Sequence, residues 1–385
     1  MSDRGPGRSQ TRMRIGIDAR PLRAQRTGVE RMAYHFVTNL ARVDSRHEFV
    51  LFVDGPLPES DAAALPHEIV VEPVRFPKVQ KLLDLWVVLQ VRRLIREHRI
   101  DLFYSPNTKF PLTSVPCVTT VHGLEWAFHP SGYRRTERIK QRFWFDMASR
   151  RSAGMVTFAH NTLQGIRALH PRSVVPVCVV PEGIAGCFRR LTPESGPPGA
   201  AERFGVPGPF ILSVSSLEPR KNIDRLIRAF ARLVQKQEIG HHLVLVGRQG
   251  WKSNRLRGLA EGLGIADRVH FTGHIADEEL VRLYNQTDLF VYPSLYEGFG
   301  LPLLEAMACG APVVTSNRSS LPEVAGDAAI IVDPVSVEDL ADGMARGLND
   351  RELRARLVER GYARAGEFSW EAMTRRIHEF IESLA

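Results

Sequence analysis

The chain has 385 residues, 44% hydrophobic and 24% charged, with a formal net charge of +8. On a prior of about 100–200 residues per domain, that length favours two globular domains, and the composition argues against a fibrous or disordered chain. No stretch approaches the ~18 continuous apolar residues that a membrane span needs. The four cysteines (Cys117, Cys178, Cys187, Cys309) lack CxxC or His-rich spacing and read as reduced, mostly buried thiols of a cytosolic protein.

In chain order, residues 1–12 carry no apolar core for a secretory signal and read as a disordered lead-in. Arg14–Asp18 is a short apolar strand, and Thr27-Gly-Val-Glu30 is a capping box that opens a helix continuing over Arg31–Leu40. Strands are expected at Phe49–Val53, Asp101–Tyr104, Val118–Val121, Gly154–Phe158 and Val177–Val180. Helices over about 79–98, 134–151 and 161–169 separate several of them. Leu191–Ala200 is rich in Pro and Gly, lacks periodicity and reads as part of a linker, 191–204. A second alternation follows, with strands at Phe210–Val214, Leu243–Val246, Val269–Phe271, Leu289–Tyr292, Pro312–Thr315 and Ala329–Val332. Its helices are expected over about 223–236, 254–263, 277–286, 302–308 and 336–348. Apolar strands alternating with amphipathic helices predict parallel sheets covered on both faces. The fold class is therefore α/β: two doubly wound domains, 13–190 and 205–365, with a cleft between them, and ligands outside the carboxyl ends of the strands.

The charge is uneven. Residues 1–200 hold 29 Lys/Arg against 18 Asp/Glu, a net +11, whereas residues 201–385 carry a net −3. The basic half suits an anionic partner such as a membrane face, a phosphorylated acceptor or nucleic acid. Its basic clusters match no nucleic-acid reader motif, so none is expected to bind. Two stretches, Lys78–Arg99 and Tyr133–Arg151, interleave Arg and Lys with Leu, Trp and Phe, as helices lying on an anionic membrane do.

The most informative segment is Ser294-Leu-Tyr-Glu297-Gly-Phe-Gly-Leu-Pro-Leu-Leu-Glu305. It places one carboxylate before a Gly-rich turn and another in the first turn of the helix that follows. Backbone amides around Phe299, Gly300 and Leu301, with the positive end of the helix behind them, can cradle a phosphate. Pro302 suits the helix start. Earlier in the same half, Glu218-Pro-Arg220-Lys221 follows a strand and opens a helix. Arg grips phosphate bidentately and Lys supplies a point charge, as release of a nucleoside diphosphate requires. Gly247 and Gly273-His274 end strands as nucleotide-facing turns would. His122 stands just past a strand.

Glu-x7-Glu in the setting PSLYEGFGLPLLEAMACGAPVV resembles the signature of GT4 glycosyltransferases, which retain anomeric configuration and use sugar nucleotides. The resemblance is strong over about 205–350 and weaker before it. It implies a GT-B fold of two facing Rossmann-like domains, with residues 366–385 crossing back onto the first. It implies a nucleotide-diphosphate sugar donor bound by 205–365 and a glycan or lipid-linked acceptor bound by 13–190. It makes Lys221 the diphosphate cation, Glu305 the acceptor of ribose hydroxyls, Glu297 the contact to donor sugar or the organiser of the cleft, and His122 a neighbour of the reacting carbon. His274 then neighbours the base and Gly28 the phosphate or acceptor. The sequence leaves a covalent role for Glu297 open, although the family is described as using a front-face route. The chain departs from the pattern at Ser215-Ser216, where many relatives have Gly-Arg, and at Gly123, where Asp commonly follows the histidine. No Asp-x-Asp occurs, so leaving-group stabilisation without a metal or other cofactor is expected. The expectation is a hexosyltransferase, mannose first, of polysaccharide or glycolipid assembly, cytoplasmic and peripheral on the inner membrane face. The rivals are a GT-B-like sugar-nucleotide epimerase or hydrolase and a non-catalytic nucleotide-sugar-binding module.

Overall fold

Apolar runs such as Val50–Val53, Leu243–Val246 and Leu289–Tyr292 are buried along their whole length, which is what parallel strands covered on both faces require. The computed structural model describes residues 12–23, 28–43, 46–72, 86–192, 201–248 and 253–384. The first sheet comprises β1 (Arg14–Asp18), β2 (Glu48–Val53), β3 (Glu68–Val71), β4 (Leu102–Ser105), β5 (Cys117–Val121), β6 (Gly154–Thr157) and β7 (Val177–Val179). The second comprises β8 (Phe210–Val214), β9 (His242–Val246), β10 (Val269–Gly273), β11 (Leu289–Tyr292), β12 (Val313–Ser316) and β13 (Ile330–Val332).

Their orders are β3-β2-β1-β4-β5-β6-β7 and β10-β9-β8-β11-β12-β13, and every pairing is parallel. Strand order reverses between β1 and β4 and between β8 and β11. Crevices open at such switch points, beyond the carboxyl ends of the strands.

The helix Gly28–Val43 buries Met32, Ala33, Phe36, Val37 and Leu40 at helical spacing. The last helix, Trp370–Ser383, packs against it, so the chain returns to the first sheet after completing the second. There Ile184 bridges Ser369. A Cβ on Gly183 would fall 2.1 Å from the Trp370 nitrogen, so only glycine admits that crossing.

Two elements are absent from the sequence reading, and three expectations fall wholly or partly outside the described residues. The edge strand β3 was not expected; its side chains are half-buried or exposed, so its pattern is faint. The helix Arg351–Gly366 was missed as well, because its buried face is only Leu357, Gly361 and Ala365. Thr27 of the capping box, most of the 191–204 linker and the first part of the 79–98 helix lie outside the described residues. Of the cysteines, Cys117 and Cys309 are buried, Cys178 is intermediate and Cys187 is exposed.

Candidate functional site

The switch point of the second sheet gathers the charges. After β8 the chain makes a short turn, Pro219–Lys221, and Asn222 takes a left-handed conformation (φ 63°) to start the helix Ile223–Gln235. Asn tolerates that region better than most residues, and its amide donates to the carbonyls of Pro293 (3.1 Å) and Pro334 (2.6 Å). This anchors the turn to the segment that follows β11. Arg220 and Lys221 thereby face Glu297: Lys221 Nζ lies 2.5 Å from Oε1 and Arg220 Nη1 lies 3.0 Å from Oε2. Lys221 also donates to Tyr292 Oη (3.0 Å), and Arg220 to Glu218 (3.1 Å). Burial works to raise the Glu297 carboxyl, but Lys221 and Arg220 overcome it and hold it down at about 2. Glu297 is therefore an ionised organiser of the two cations, with both oxygens engaged.

The turn after Glu297 is held from beneath. Ser319 Oγ donates to the Glu297 carbonyl (2.6 Å) and accepts the Glu297 N–H (3.1 Å), while Ser320 Oγ donates to the Phe299 carbonyl (2.7 Å). Gly300 (φ 119°) caps the helix Leu301–Ala308, with Pro302 in its first turn. The N–H groups of Phe299, Gly300 and Leu301 make no hydrogen bond to protein among the described residues. These unbonded donors lie beside the Arg220–Lys221 pair, an arrangement suited to an anion.

Glu305 sits in the second turn of that helix rather than the first, and is buried. Its Oε2 accepts from Tyr284 Oη (3.2 Å) and its Oε1 from Arg31 Nη1 (2.8 Å), a residue of the first domain. Burial pushes the Glu305 carboxyl up to about 7, with Arg31 pulling the other way. Gly247 and His274 mark the neighbouring strand ends. Gly247 (φ 143°) lies against Ser215, whose carbonyl oxygen would be 2.0 Å from a Cβ there. The Ser215 hydroxyl, at one point of departure from the family pattern, is buried without a hydrogen-bond partner among the described residues. His274 is exposed beyond β10.

From the first domain, His122 closes over the turn. A Cβ on Gly298 would lie 1.9 Å from the His122 carbonyl oxygen. The His122 Nε2–H donates to the Pro106 carbonyl (2.8 Å), and burial pushes the imidazole down to about 4, so the ring is neutral. Gly28 opens the helix that carries Arg31, and a Cβ there would meet nothing within 4 Å among the described residues. Sequence reasoning missed Glu125. Its carboxylate folds over Gly123, 2.6 Å from where a Cβ would stand. Burial raises the Glu125 carboxyl, with Arg220 opposing. It also missed Arg31, Asp277 and Tyr284. Arg31 could have been suspected as a cation in the first turn of a helix that opens at a loop glycine.

Among the described residues one cluster offers three metal-ligand atoms within 4.8 Å of one another: His47, His378 and Glu382. It sits where the last helix meets the start of β2, apart from the cations. Arg46 already pairs with Glu382 (2.5 Å), and His47 Nδ1 accepts the Met13 N–H (3.2 Å). That bond leaves the proton on Nε2, the wrong tautomer for a metal ligand at that atom.

Two family profiles match the chain: Glycosyl transferases group 1 over residues 201–364 and Glycosyltransferase Family 4 over residues 26–185. The O-antigen chain mannosyltransferase B of Escherichia coli is 30% identical over 374 residues, covering 94% of this chain and 97% of that protein. The GDP-mannose-dependent alpha-(1-6)-phosphatidylinositol monomannoside mannosyltransferase of Mycobacterium tuberculosis is 28% identical over 337 residues, 80% of this chain and 82% of that one. Sucrose-phosphate synthase from Thermosynechococcus elongatus shares the fold, with TM-score 0.77 at 19% identity over 97% of this chain and 99% of that structure. Two parallel Rossmann-like sheets give the chain a GT-B fold, and the family profiles and the O-antigen relative make it a glycosyltransferase. The chain belongs to the GT4 family, glycosyl transferases group 1.

Proposed function

We propose that the chain transfers mannose from GDP-mannose, with retention, to a hydroxyl of a glycan or lipid-linked acceptor in polysaccharide or glycolipid assembly. The second domain holds the donor and the first selects the acceptor. The observation that carries this reading is the anion cradle at Phe299–Leu301 beside the Arg220–Glu297–Lys221 group. Mannose as the sugar is supported by relatives that are mannosyltransferases. The diphosphate leaves into the cradle, where Lys221, Arg220 and free N–H groups meet the charge as it develops; such preorganised donors are the main source of catalysis in a site of this kind. No metal is required in this scheme, because the chain supplies the cations.

Glu297 keeps the two cations apart and oriented, and positioning supplies most of the remaining rate. Glu305 accepts the ribose hydroxyls. The neutral His122 lines the cleft from the acceptor side. Association with an anionic membrane is supported by the helices Arg92–Glu97, entered through the π-helical turn Trp86–Val91, and Arg135–Arg151. They expose Leu89 (60%), Ile139 (62%) and Phe143 (55%) among their arginines.

The test is turnover with GDP-mannose, UDP-glucose, UDP-GlcNAc and dTDP-rhamnose in the presence of chelator, with the product anomer read by NMR. Retained transfer from GDP-mannose alone is expected. Turnover abolished by chelator would overturn the metal-free scheme. Nucleotide binding without transfer to any glycan or lipid-linked acceptor would favour the binding-module rival, and sugar-nucleotide epimerisation or hydrolysis the other.

A further inference from the structure

The ribose carboxylate proposed above does not belong to the second domain alone. Arg31, 274 positions away in the sequence, reaches across the cleft from the helix Gly28–Val43. Its Nη1 lies 2.8 Å from Glu305 Oε1 and its Nη2 lies 2.5 Å from Asp277 Oδ1. The guanidinium also stands over the Phe188 ring, 5.6 Å from the centroid, in the segment that joins the two sheets. Arg31 is 17% exposed and Glu305 7%. One side chain thus ties together the first domain, the connecting segment and two helices of the second.

We propose that Arg31 is a positioning residue for the donor nucleotide, carrying a cation from the first domain onto the ribose-binding carboxylate so that nucleotide recognition and cleft closure are coupled. This rests on the reading of Glu305 as the ribose carboxylate. An ionised carboxylate offers about four lone-pair sites. Arg31 takes one on Oε1 and Tyr284 one on Oε2, which fixes the plane of the group and leaves sites for a vicinal diol. The forked guanidinium satisfies two acids at once, which an ammonium could not do with the same geometry. When the domains part, Arg31 leaves with the first and takes away the bond that fixes the plane of the Glu305 carboxyl. Coupling is reciprocal: nucleotide binding then favours closure by the factor that closure favours nucleotide binding.

The experiment measures, by calorimetry on the full chain, the affinity of GDP or UDP, whichever binds more tightly, and of its dideoxy-ribose form. In the wild type the ribonucleotide binds more tightly. Arg31→Gln is expected to weaken it by roughly 5- to 150-fold and to leave the dideoxy form nearly unchanged, so the ratio of the two affinities collapses. Arg31→Lys keeps part of that ratio. Glu305→Gln collapses it too. If Glu305→Gln collapses the ratio and Arg31→Gln leaves it intact, the coupling is overturned while the ribose reading stands. If Glu305→Gln itself leaves the ratio intact, the ribose reading fails and the role of Arg31 fails with it. Should Arg31→Gln not fold, Asp277→Asn decides: a reduced ratio supports the coupling and an unchanged ratio overturns it.

Discussion

Gly298 and His122 meet across the cleft with no room for a single additional carbon: a Cβ on Gly298 would stand 1.9 Å from the His122 carbonyl oxygen. The obstacle is backbone, which has no rotamer to retreat to. Gly298→Ala must therefore hold the domains apart while leaving each sheet intact. A misplacement of about 1 Å costs on the order of 100-fold in rate. Steady-state kinetics should show that loss in kcat/KM, and thermal melts should show little change. Wild-type kinetics in this variant would mean that catalysis does not need the closed contact.

Lys221 is one of two cations holding an ionised Glu297 out of water. Lys221→Met leaves that carboxylate with Arg220 alone. Breaking one side of a buried pair costs about 3–5 kcal/mol, and the same change removes a charge from the proposed leaving-group cradle. Denaturant unfolding and turnover should both fall. Loss of turnover with undiminished stability would show that Glu297 is not held as described.

Glu297 also sets an acid limit. Its folded-state carboxyl titrates at about 2, below the ordinary value of 4.5. Its contribution to stability is thus complete above the ordinary value and is lost as pH falls toward about 2. Across that window Glu297→Gln should unfold with a flatter pH dependence than wild type. Parallel curves would remove Glu297 from the account of acid unfolding.

Glu182 behaves in the opposite sense. It is 5% exposed, and burial alone pushes its carboxyl up to about 8. Here the folded state holds the proton more tightly, so the stability is complete below the ordinary carboxylate range and is lost as pH rises through about 8. Glu182→Gln should therefore gain on wild type at mildly alkaline pH, by on the order of a few kcal/mol. Chemical unfolding on either side of neutrality reads the difference directly, and equal losses in both proteins would count against a buried neutral Glu182.

The Glu125 carboxylate occupies space that Gly123 leaves empty. Gly123→Ala pushes it aside. Because the displaced atoms are the end of a side chain, the cost to folding should be small. If this carboxylate helps to orient ligands near Arg220, kcat/KM should fall roughly tenfold, about 1.4 kcal/mol, and Glu125→Gln should fall with it. A drop in the glycine variant alone would assign the effect to the added methyl group rather than to the carboxylate.

The alternation of strands and helices was legible because strands such as His242–Val246 and Leu289–Tyr292 are buried almost throughout, and apolar runs of four or five residues between turn signals are too short for buried helices. The Glu68–Val71 edge was not, because a half-exposed strand need not be apolar. Within the site, Glu297, Glu305, Arg220 and Lys221 could be read because each lies beside a strand end or a helix start. Arg31, Glu125 and Tyr284 could not, because their partners come from elements far apart in the chain and local periodicity carries no record of such meetings. The sequence also suggested that the two cations would face a ligand directly. What it could not show is that each is held by Glu297.

Ile184 and Ser369 mark two passages of the chain, side by side, between the sheets. Bodies joined by one strap can twist in any direction, whereas two adjacent straps leave chiefly a swing, like a door on a pair of pins. Two adjacent straps thus restrict twisting between the sheets and keep the close approaches at Gly298 and at Arg31 in register.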